Sequence, residues 1–268
     1  MQEVAWKPPK PGALVRHPSK KFARDLNDNW FRGLKPGRPK ILFASVTLTM
    51  VHNQPYNTHI STAYFSGCEC EKYRLVPFML YRQEIARARN QAVMTAIKGD
   101  FTYICFMDDD SHMIENAIGK LVDRMKEFNA CSGSYYIRGF PFHPMVFRWT
   151  DETRTKMKLP DPYDYEKYID ADGVMRDEVA ALGCGITMFR VADFKRVPFP
   201  WFMTGPYHTE DVYWFHKAHT HLKSPYKVGM DFNIDVGHQL EPLVVRHSNV
   251  KILREAYGKL HGPWKDRG

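Results

Sequence analysis

The chain has 268 residues, 44% of them hydrophobic, and a formal net charge of +8, which suits one substantial α/β core with extensions. No stretch approaches the ~20 uninterrupted apolar residues of a membrane span, and residues 1–10 lack the apolar core of a secretion signal. We therefore expect a cytoplasmic protein with no integral membrane segment. The five cysteines, an odd number, indicate reduced thiols rather than a disulfide framework.

Positive charge is concentrated at the two ends of the sequence. Residues 1–40 carry ten Lys and Arg against three Asp and Glu, a net of +7, and residues 246–268 carry six against two, a net of +4. Residues 41–245 carry 22 basic and 25 acidic residues, a net of −3. We predict a basic, proline-rich N-terminal arm at 1–40, a folded domain at 41–245 and a basic tail at 246–268. Such ends either contact a polyanion or only keep the chain soluble.

The first predicted elements alternate between strand and helix. Residues 41–51 are apolar and β-branched, which indicates a buried strand. Residues 81–97 have apolar side chains at helical spacing, and Arg89 shares their apolar face. A second buried strand at 101–107 is followed by the three aspartates 108–110. They lie at the carboxyl end of that strand, where open α/β sheets bind ligands.

The alternation continues around one long insertion at 138–178. The pattern predicts further helices at 114–125 and 209–222 and further strands at 130–137, 179–189 and 226–236. The insertion has no clear period, and its aromatic side chains suggest an acceptor-binding lid that stacks sugar rings or bases. Those aromatic residues are Phe140, Phe142, Phe147, Trp149, Tyr163 and Tyr165. The order of elements predicts an α/β fold in which a mixed, mostly parallel sheet is flanked by helices.

Three consecutive carboxylates at the end of a buried strand repel one another and need a compensating charge. A divalent cation is the simplest one, and Mg²⁺ or Mn²⁺ suits oxygen ligands that leave positions open for phosphate. The alternative is structural, because Asp110 and Ser111 also precede a predicted helix that they could cap. Glu210 and Asp211 allow the same two interpretations, since they follow Thr209 at the start of another helix.

Five motifs follow one another along the chain. They are Arg87-Ala88-Arg89-Asn90, Asp108-Asp109-Asp110, Gly183-Cys184-Gly185, Thr209-Glu210-Asp211 and Val236-Gly237-His238. Their order and spacing, over about residues 41–240, resembles the motif series of the Rossmann-like GT-A glycosyltransferases, especially the inverting family two. The resemblance implies a metal-dependent transferase that uses a nucleoside diphosphate sugar, with UDP-linked sugars favoured.

On the donor side the resemblance implies a role for each matching residue. Asp108 would contact the ribose or base, and Asp108, Asp110 and His238 would hold Mn²⁺ or Mg²⁺. Arg89 would face the diphosphate, and Asn90 would fix the local turn. The other implied donor contacts are Thr47, Thr49 and Asp109, together with Gly183 and Gly185, whose backbone would approach the sugar or acceptor closely.

On the acceptor side the resemblance implies that Asp211, with Glu210 beside it, removes the proton of the acceptor hydroxyl. The basic ends suggest DNA as acceptor, for example a hydroxymethylated pyrimidine in the DNA of a bacterial virus within the host cytoplasm. A glycan or glycolipid at the cytosolic membrane face is the rival acceptor. Nucleotidyl transfer is disfavoured because the loop at 52–56 is not glycine-rich, and a non-catalytic binding protein because the acids and His238 are retained together.

Overall fold

The computed structural model describes residues 37–47, 72–81, 83–114, 116–206, 208–222, 225–240 and 243–261. Thr49, Cys68 and Cys70 lie outside these ranges, as do residues 1–36 of the predicted arm. The β-strands within the described ranges are β1 Lys40–Thr47, β2 Arg74–Tyr81, β3 Tyr103–Asp108, β4 Ser111–His112, β5 Ala130–Ser134, β6 Val146–Trp149, β7 Met157–Lys158, β8 Val174–Met175, β9 Val179–Leu182, β10 Ile186–Arg190, β11 Val228–Asp235, β12 Gly237–Leu240 and β13 Leu243–Val245. The helices are α1 Ile85–Lys98, α2 Ala117–Arg124, α3 Val191–Phe194, α4 Glu210–His221 and α5 Val250–His261, with a 3-10 turn at Tyr165–Tyr168.

Seven strands form the main sheet in the order β2-β1-β3-β10-β5-β11-β8. Pairings β2–β1, β1–β3 and β5–β11 are parallel, whereas β10 and β8 run antiparallel to their neighbours. The carboxyl ends of β1, β2, β3, β5 and β11 consequently meet at one edge of the sheet. The predicted α/β class with a mixed, mostly parallel sheet is confirmed.

Hydrophobic side chains cover both faces of this sheet, as a strand that is buried on both sides requires. Helices α1, α3 and α4 supply one layer, in which Ala92, Phe194 and Trp214 are completely buried. Helix α2 supplies the other through its apolar face, including Ile118 and Leu121. The alanines of α1 bring its backbone close to the sheet, so that a long polar side chain on this helix can reach the end of β3.

A small antiparallel sheet, β13-β12-β4, extends from the carboxyl-end edge. Its register pairs His238 on β12 with Ser111 on β4, directly after the three aspartates. The amide of Gln239 also donates to the carbonyl of Asp110 at 2.9 Å. This sheet therefore brings a histidine from late in the sequence to the end of β3.

Strand β2 was not predicted from the sequence. It contains Pro77, which cannot donate a hydrogen bond and is tolerated here because, among the strands that the structure describes, β2 lies at an edge of the main sheet and pairs with β1 alone. The single strand predicted at 179–189 is two strands, β9 and β10, which belong to different sheets. They separate at the glycines around Cys184.

The predicted basic tail at 246–268 differs from the structure over 250–261, which form helix α5. Val250 and Arg254 are buried, and Leu253 and Tyr257 pack against the main core. The apolar stripe of this helix, rather than its charge, determines its position.

The predicted lid at 138–178 is an ordered part of the domain that contains β6, β7, β8 and the 3-10 turn. Most of its aromatic side chains belong to the core and not to an open stacking surface: Phe142, Trp149 and Tyr165 are buried, whereas Tyr163 is exposed. The expectation of an aromatic platform was wrong for the buried residues. The charged residues between them in the sequence interrupt the apolar pattern that would have indicated a core.

Candidate active site

A buried arginine joins three elements at the carboxyl-end edge of the main sheet. Arg89 of α1 donates from Nη2 to Asp108 Oδ1 at 2.8 Å, at the end of β3. Its Nη1 donates to Glu210 Oε1, at the first residue of α4. The Arg89 side chain is only 2% exposed, so its charge is compensated inside the protein. One guanidinium thus binds Asp108, predicted for the donor side, and Glu210, predicted for the acceptor side.

The charges in this cluster are mutually dependent. Burial raises the pKa values of Asp108 and Glu210, and the charge of Arg89 opposes that rise for both. Burial alone would lower the pKa of Arg89, but the acidic groups around it outweigh burial and hold its pKa above the usual value. An unpaired carboxylate is costly where water is excluded, so the arginine favours the ionised forms of the two acids.

Asn90, the next residue on α1, fixes the loop before α4. Its Oδ1 accepts from the amides of Trp201 and Phe202 at 3.0 and 3.1 Å. Its Nδ2 donates to the carbonyls of Ala86 and Phe202 at 2.8 and 2.6 Å. Asn90 therefore orders backbone that is more than a hundred residues away in sequence, and its predicted role in a local turn stays a prediction.

Asp110 lies opposite His238 in the small sheet. His238 Nδ1 is 2.6 Å from the carbonyl oxygen of Tyr136, so Nδ1 carries the proton and donates it. The Nε2 atom then faces Asp110 Oδ2 at 3.2 Å, which brings a lone pair toward a carboxylate unless a proton or a cation lies between them. Burial opposes both ionised forms, yet the contact between the two groups outweighs it, so the pKa of His238 is raised and that of Asp110 is lowered.

These two residues fit a divalent cation. An imidazole nitrogen and a carboxylate oxygen are a donor set that Mn²⁺ accepts. Neighbouring ligands of one octahedral ion with bonds of about 2.1 Å are separated by about 3 Å, which matches the observed 3.2 Å. Within the described part of the chain no three His, Cys, Asp or Glu side chains cluster closely enough to hold a metal ion. Asp108 is turned to Arg89, so its predicted share in the metal site stays a prediction.

Asp211 is buried beside Glu210 at the start of α4. Its Oδ1 accepts from the hydroxyl of Thr209 and from the amide of Val212 at 2.8 Å. Its Oδ2 accepts no hydrogen bond from the residues that the structure describes. Because Glu210 is bound to Arg89, Asp211 has the carboxylate oxygen that remains available to a substrate.

The two glycines around Cys184 make room for a tyrosine. A Cβ on Gly183 would lie 1.9 Å from the Tyr135 hydroxyl, and one on Gly185 would lie 2.6 Å from its ring. The amide of Gly185 donates to that hydroxyl at 2.9 Å. In the structure the group that lies close to the backbone of these two glycines is Tyr135, whereas the prediction was a sugar or an acceptor. Burial raises the pKa of Tyr135 well above its usual value, so the phenol stays protonated.

The remaining predicted residues lie at the same edge. Asp109 is half-buried and makes no hydrogen bond with the residues that the structure describes. Thr47 is the last residue of β1, and its predicted base contact stays a prediction. Sequence analysis missed Tyr135, Tyr136 and Arg138, because no motif distinguishes the segment after β5 that places them beside Asp110 and His238.

Comparisons with known proteins identify the family and the fold. The model of the family described as glycosyl transferase family 2 matches residues 70–190. The crystal structure of A197 from STIV resembles the chain with a TM-score of 0.54 and 19% identity, covering 78% of this chain and 91% of that one. This chain is a family-two-like glycosyltransferase with a GT-A-like fold.

A further structure, that of a 4-diphosphocytidyl-2C-methyl-D-erythritol synthase from Anaerococcus prevotii, has a TM-score of 0.39 and 9% identity, covering 82% of this chain and 99% of that one. No curated protein sequence matches this glycosyltransferase. The family match includes Arg89, the three aspartates and both glycines, whereas Glu210, Asp211 and His238 lie beyond it. Among the described helices of the enzyme, none has the length and apolar character needed to cross a membrane.

Proposed function

We propose that this glycosyltransferase moves a sugar from a nucleoside diphosphate sugar, with UDP-linked donors favoured, to an acceptor hydroxyl, and that it requires Mn²⁺ or Mg²⁺. One observation carries the proposal: Arg89 binds Asp108 on the donor side and Glu210 on the acceptor side, beside the Asp110–His238 pair. The donor and the acceptor would therefore meet at one edge of the sheet, side by side, as sugar transfer requires.

Asp110 and His238 would hold the cation, and Asp108 would contact the nucleoside. When bound, the cation would supply positive charge that stabilises the diphosphate as it departs. Arg89 is enclosed by protein and occupied by two carboxylates, so we assign it a positioning role in place of the predicted contact with the diphosphate.

Asp211 is the group we assign to remove the acceptor proton, because its Oδ2 is available while Glu210 is held by Arg89. Attack by that hydroxyl from the side opposite the departing diphosphate would invert the anomeric centre. Asp211→Asn is expected to lower kcat by about 10²–10⁴-fold with little change in donor affinity, because a general base acts in the chemical step. A matching loss of donor affinity would contradict the assignment.

The acceptor we propose first is a hydroxymethylated pyrimidine of viral DNA, and the alternative is a glycan or glycolipid at the cytosolic membrane face. The concentration of positive charge at the two ends of the sequence supports a polyanionic acceptor or surface. Transfer of labelled sugar to hydroxymethylated DNA, and not to unmodified DNA or to glycans, would support the first acceptor. The opposite pattern would support the alternative.

The experiment that tests the donor site is a thermal-shift titration with nucleoside diphosphates and their sugars, with and without Mn²⁺. It compares the wild type with Asp110→Asn and with Asp123→Asn, a control that removes the charge of an exposed, salt-bridged aspartate. We expect one nucleotide to stabilise the wild type and the control only when Mn²⁺ is present, and not to stabilise Asp110→Asn. If no nucleotide shifts the wild type under any metal, the proposed donor chemistry is wrong.

A further inference from the structure

Arg138 lies beside the proposed cation site on a short hairpin that follows β5. The hairpin is closed by hydrogen bonds from Met145 to Tyr135 and from Ile137 to His143, both at 2.9 Å. The Nη1 atom of Arg138 is 3.1 Å from Asp110 Oδ2. This is the same oxygen that faces Nε2 of His238, so one carboxylate oxygen has nitrogen atoms of two side chains beside it.

Helix α5 anchors the backbone of this hairpin. Arg254 is buried and donates from Nε to the carbonyl of Pro141 at 2.8 Å and from Nη2 to that of Phe142 at 2.7 Å. The ring of Tyr257 contacts Phe142 edge-on and stacks on Phe140. The backbone that carries Arg138 is therefore fixed, and a change at this position must come from the side chain.

The side chain of Arg138 is free to change direction. It is 57% exposed, in contrast to the enclosed side chain of Arg89, whereas Asp110 is 15% exposed. An ion pair whose arginine lies at the surface gains little net free energy, so a competing ligand can separate it. Its planar guanidinium also matches the oxygens of a phosphate group.

A divalent cation on Asp110 and His238 would compete with this arginine. The cation and the guanidinium would both bind near Asp110 Oδ2, and the two positive charges would repel each other across a few ångströms. A nucleoside diphosphate that arrives with the cation brings negative charge to the same place. An arginine displaced from Asp110 then has a diphosphate within reach of its flexible side chain.

We propose that Arg138 occupies Asp110 in the donor-free enzyme and turns to the diphosphate of the donor when the cation and the donor bind. This inference rests on the proposed function and adds to it a residue that binds the leaving group. It predicts opposite effects of one substitution: loss of Arg138 favours the cation alone and disfavours the nucleotide. A residue with a purely structural role would not change the two affinities in opposite directions.

The test measures two dissociation constants for the full chain and for Arg138→Ala, Arg138→Lys and Arg154→Ala. The last is a matched control, because Arg154 is also an exposed arginine in a salt bridge, here with Glu178. Electron paramagnetic resonance of free Mn²⁺ gives the affinity for Mn²⁺ alone. Calorimetric titration with UDP at saturating Mn²⁺ gives the affinity for the nucleotide.

For Arg138→Ala we expect Mn²⁺ alone to bind about threefold to fivefold more tightly, because an exposed ion pair no longer competes. We expect UDP to bind about tenfold or more weakly, because a charge-assisted hydrogen bond to phosphate is lost. Arg138→Lys keeps the positive charge but not the planar fork, so we expect nearly wild-type Mn²⁺ affinity and intermediate UDP affinity. Arg154→Ala is expected to match the wild type in both measurements.

If Arg138→Ala equals the wild type in both affinities, or weakens both, the inference is wrong while the proposed donor chemistry stands. If the wild type binds Mn²⁺ but no nucleoside diphosphate, the proposed donor chemistry fails and the inferred contact with the diphosphate fails with it. The measurement with Mn²⁺ alone still reports separately whether Arg138 competes for Asp110. Thermal unfolding of each variant verifies that the exposed substitutions leave the fold intact.

Discussion

Asp108 and Asp110 are separated by one residue, yet their charges are compensated in opposite ways. Asp108 is paired from inside the protein by Arg89, whose side chain is 2% exposed. Asp110 is paired by His238, whose side chain is 15% exposed, and by Arg138, whose side chain is 57% exposed. The enclosed guanidinium of Arg89 therefore fixes the geometry of the site, whereas the exposed guanidinium of Arg138 can be displaced from Asp110 by a ligand. Four substitutions test this contrast, from the largest expected effect on stability to the smallest.

Arg89→Met should have the largest effect. It leaves the buried Glu210 and the partly buried Asp108 without their common partner, so we expect a loss of about 3–5 kcal/mol in the free energy of unfolding, measured by urea denaturation. The triple variant that adds Asp108→Asn and Glu210→Gln should recover part of this loss, because it removes both unpaired charges. A loss below about 1 kcal/mol for Arg89→Met would mean that the buried cluster is not a structural centre.

Asn90→Ala should follow. It removes a buried side chain that binds the amides and one carbonyl of the loop at 201–202, and leaves those groups unpaired. We expect a loss of about 2–3 kcal/mol, together with faster proteolysis near that loop. Unchanged stability would show that water replaces the Asn90 side chain and that α1 does not fix the loop at 201–202 before α4.

Asp110→Asn should have a much smaller effect on stability, although it is expected to abolish Mn²⁺-dependent nucleotide binding. Arg138 is exposed, and asparagine keeps an oxygen that can accept a hydrogen bond from His238, so we expect the free energy of unfolding to change by less than about 1 kcal/mol. Urea denaturation without metal is the measurement. If this variant is as unstable as Arg89→Met, the contrast between the two aspartates is invalid.

The smallest expected effect on stability comes from His219, which lies away from the candidate active site and serves as a reference for it. His219 donates from Nε2 to the carbonyl of Ala180 at 2.8 Å, and burial lowers its pKa, with Arg154 and His216 acting in the same direction and the hydrogen bond opposing them. Below about pH 6.5 the unfolded chain takes up a proton that the folded chain resists, so stability falls as the pH decreases.

His219→Gln keeps a donor for Ala180 but cannot be protonated. We expect its free energy of unfolding to decrease less than that of the wild type between about pH 7.5 and about pH 5.5, where histidines titrate. The other histidines are present in both proteins, so the difference between the two pH profiles isolates His219. Identical profiles would show that this ring is hydrated in the folded protein.

Sequence analysis succeeded where the pattern is local. The buried strand before Asp108 and the helix that carries Arg89 follow from hydrophobic periodicity, and the order of the motifs led to the family. It failed for β2, where Pro77 concealed an edge strand, and for α5, where charge concealed an apolar stripe. It could place Arg89 on an apolar face, but its partner Glu210 lies 121 positions away. Such pairings depend on the tertiary arrangement of α1 and α4, which no periodicity contains.

The anchoring of the Arg138 hairpin by Arg254 has a consequence for synthesis of the chain on the ribosome. Strands β1 to β11 emerge first and can begin to pack as they appear. The carbonyls of Pro141 and Phe142 receive their hydrogen bonds only after residue 254 has left the exit tunnel. A nascent enzyme would therefore complete the hairpin beside Asp110 only after α5 has emerged, and a chain released before α5 would lack these hydrogen bonds.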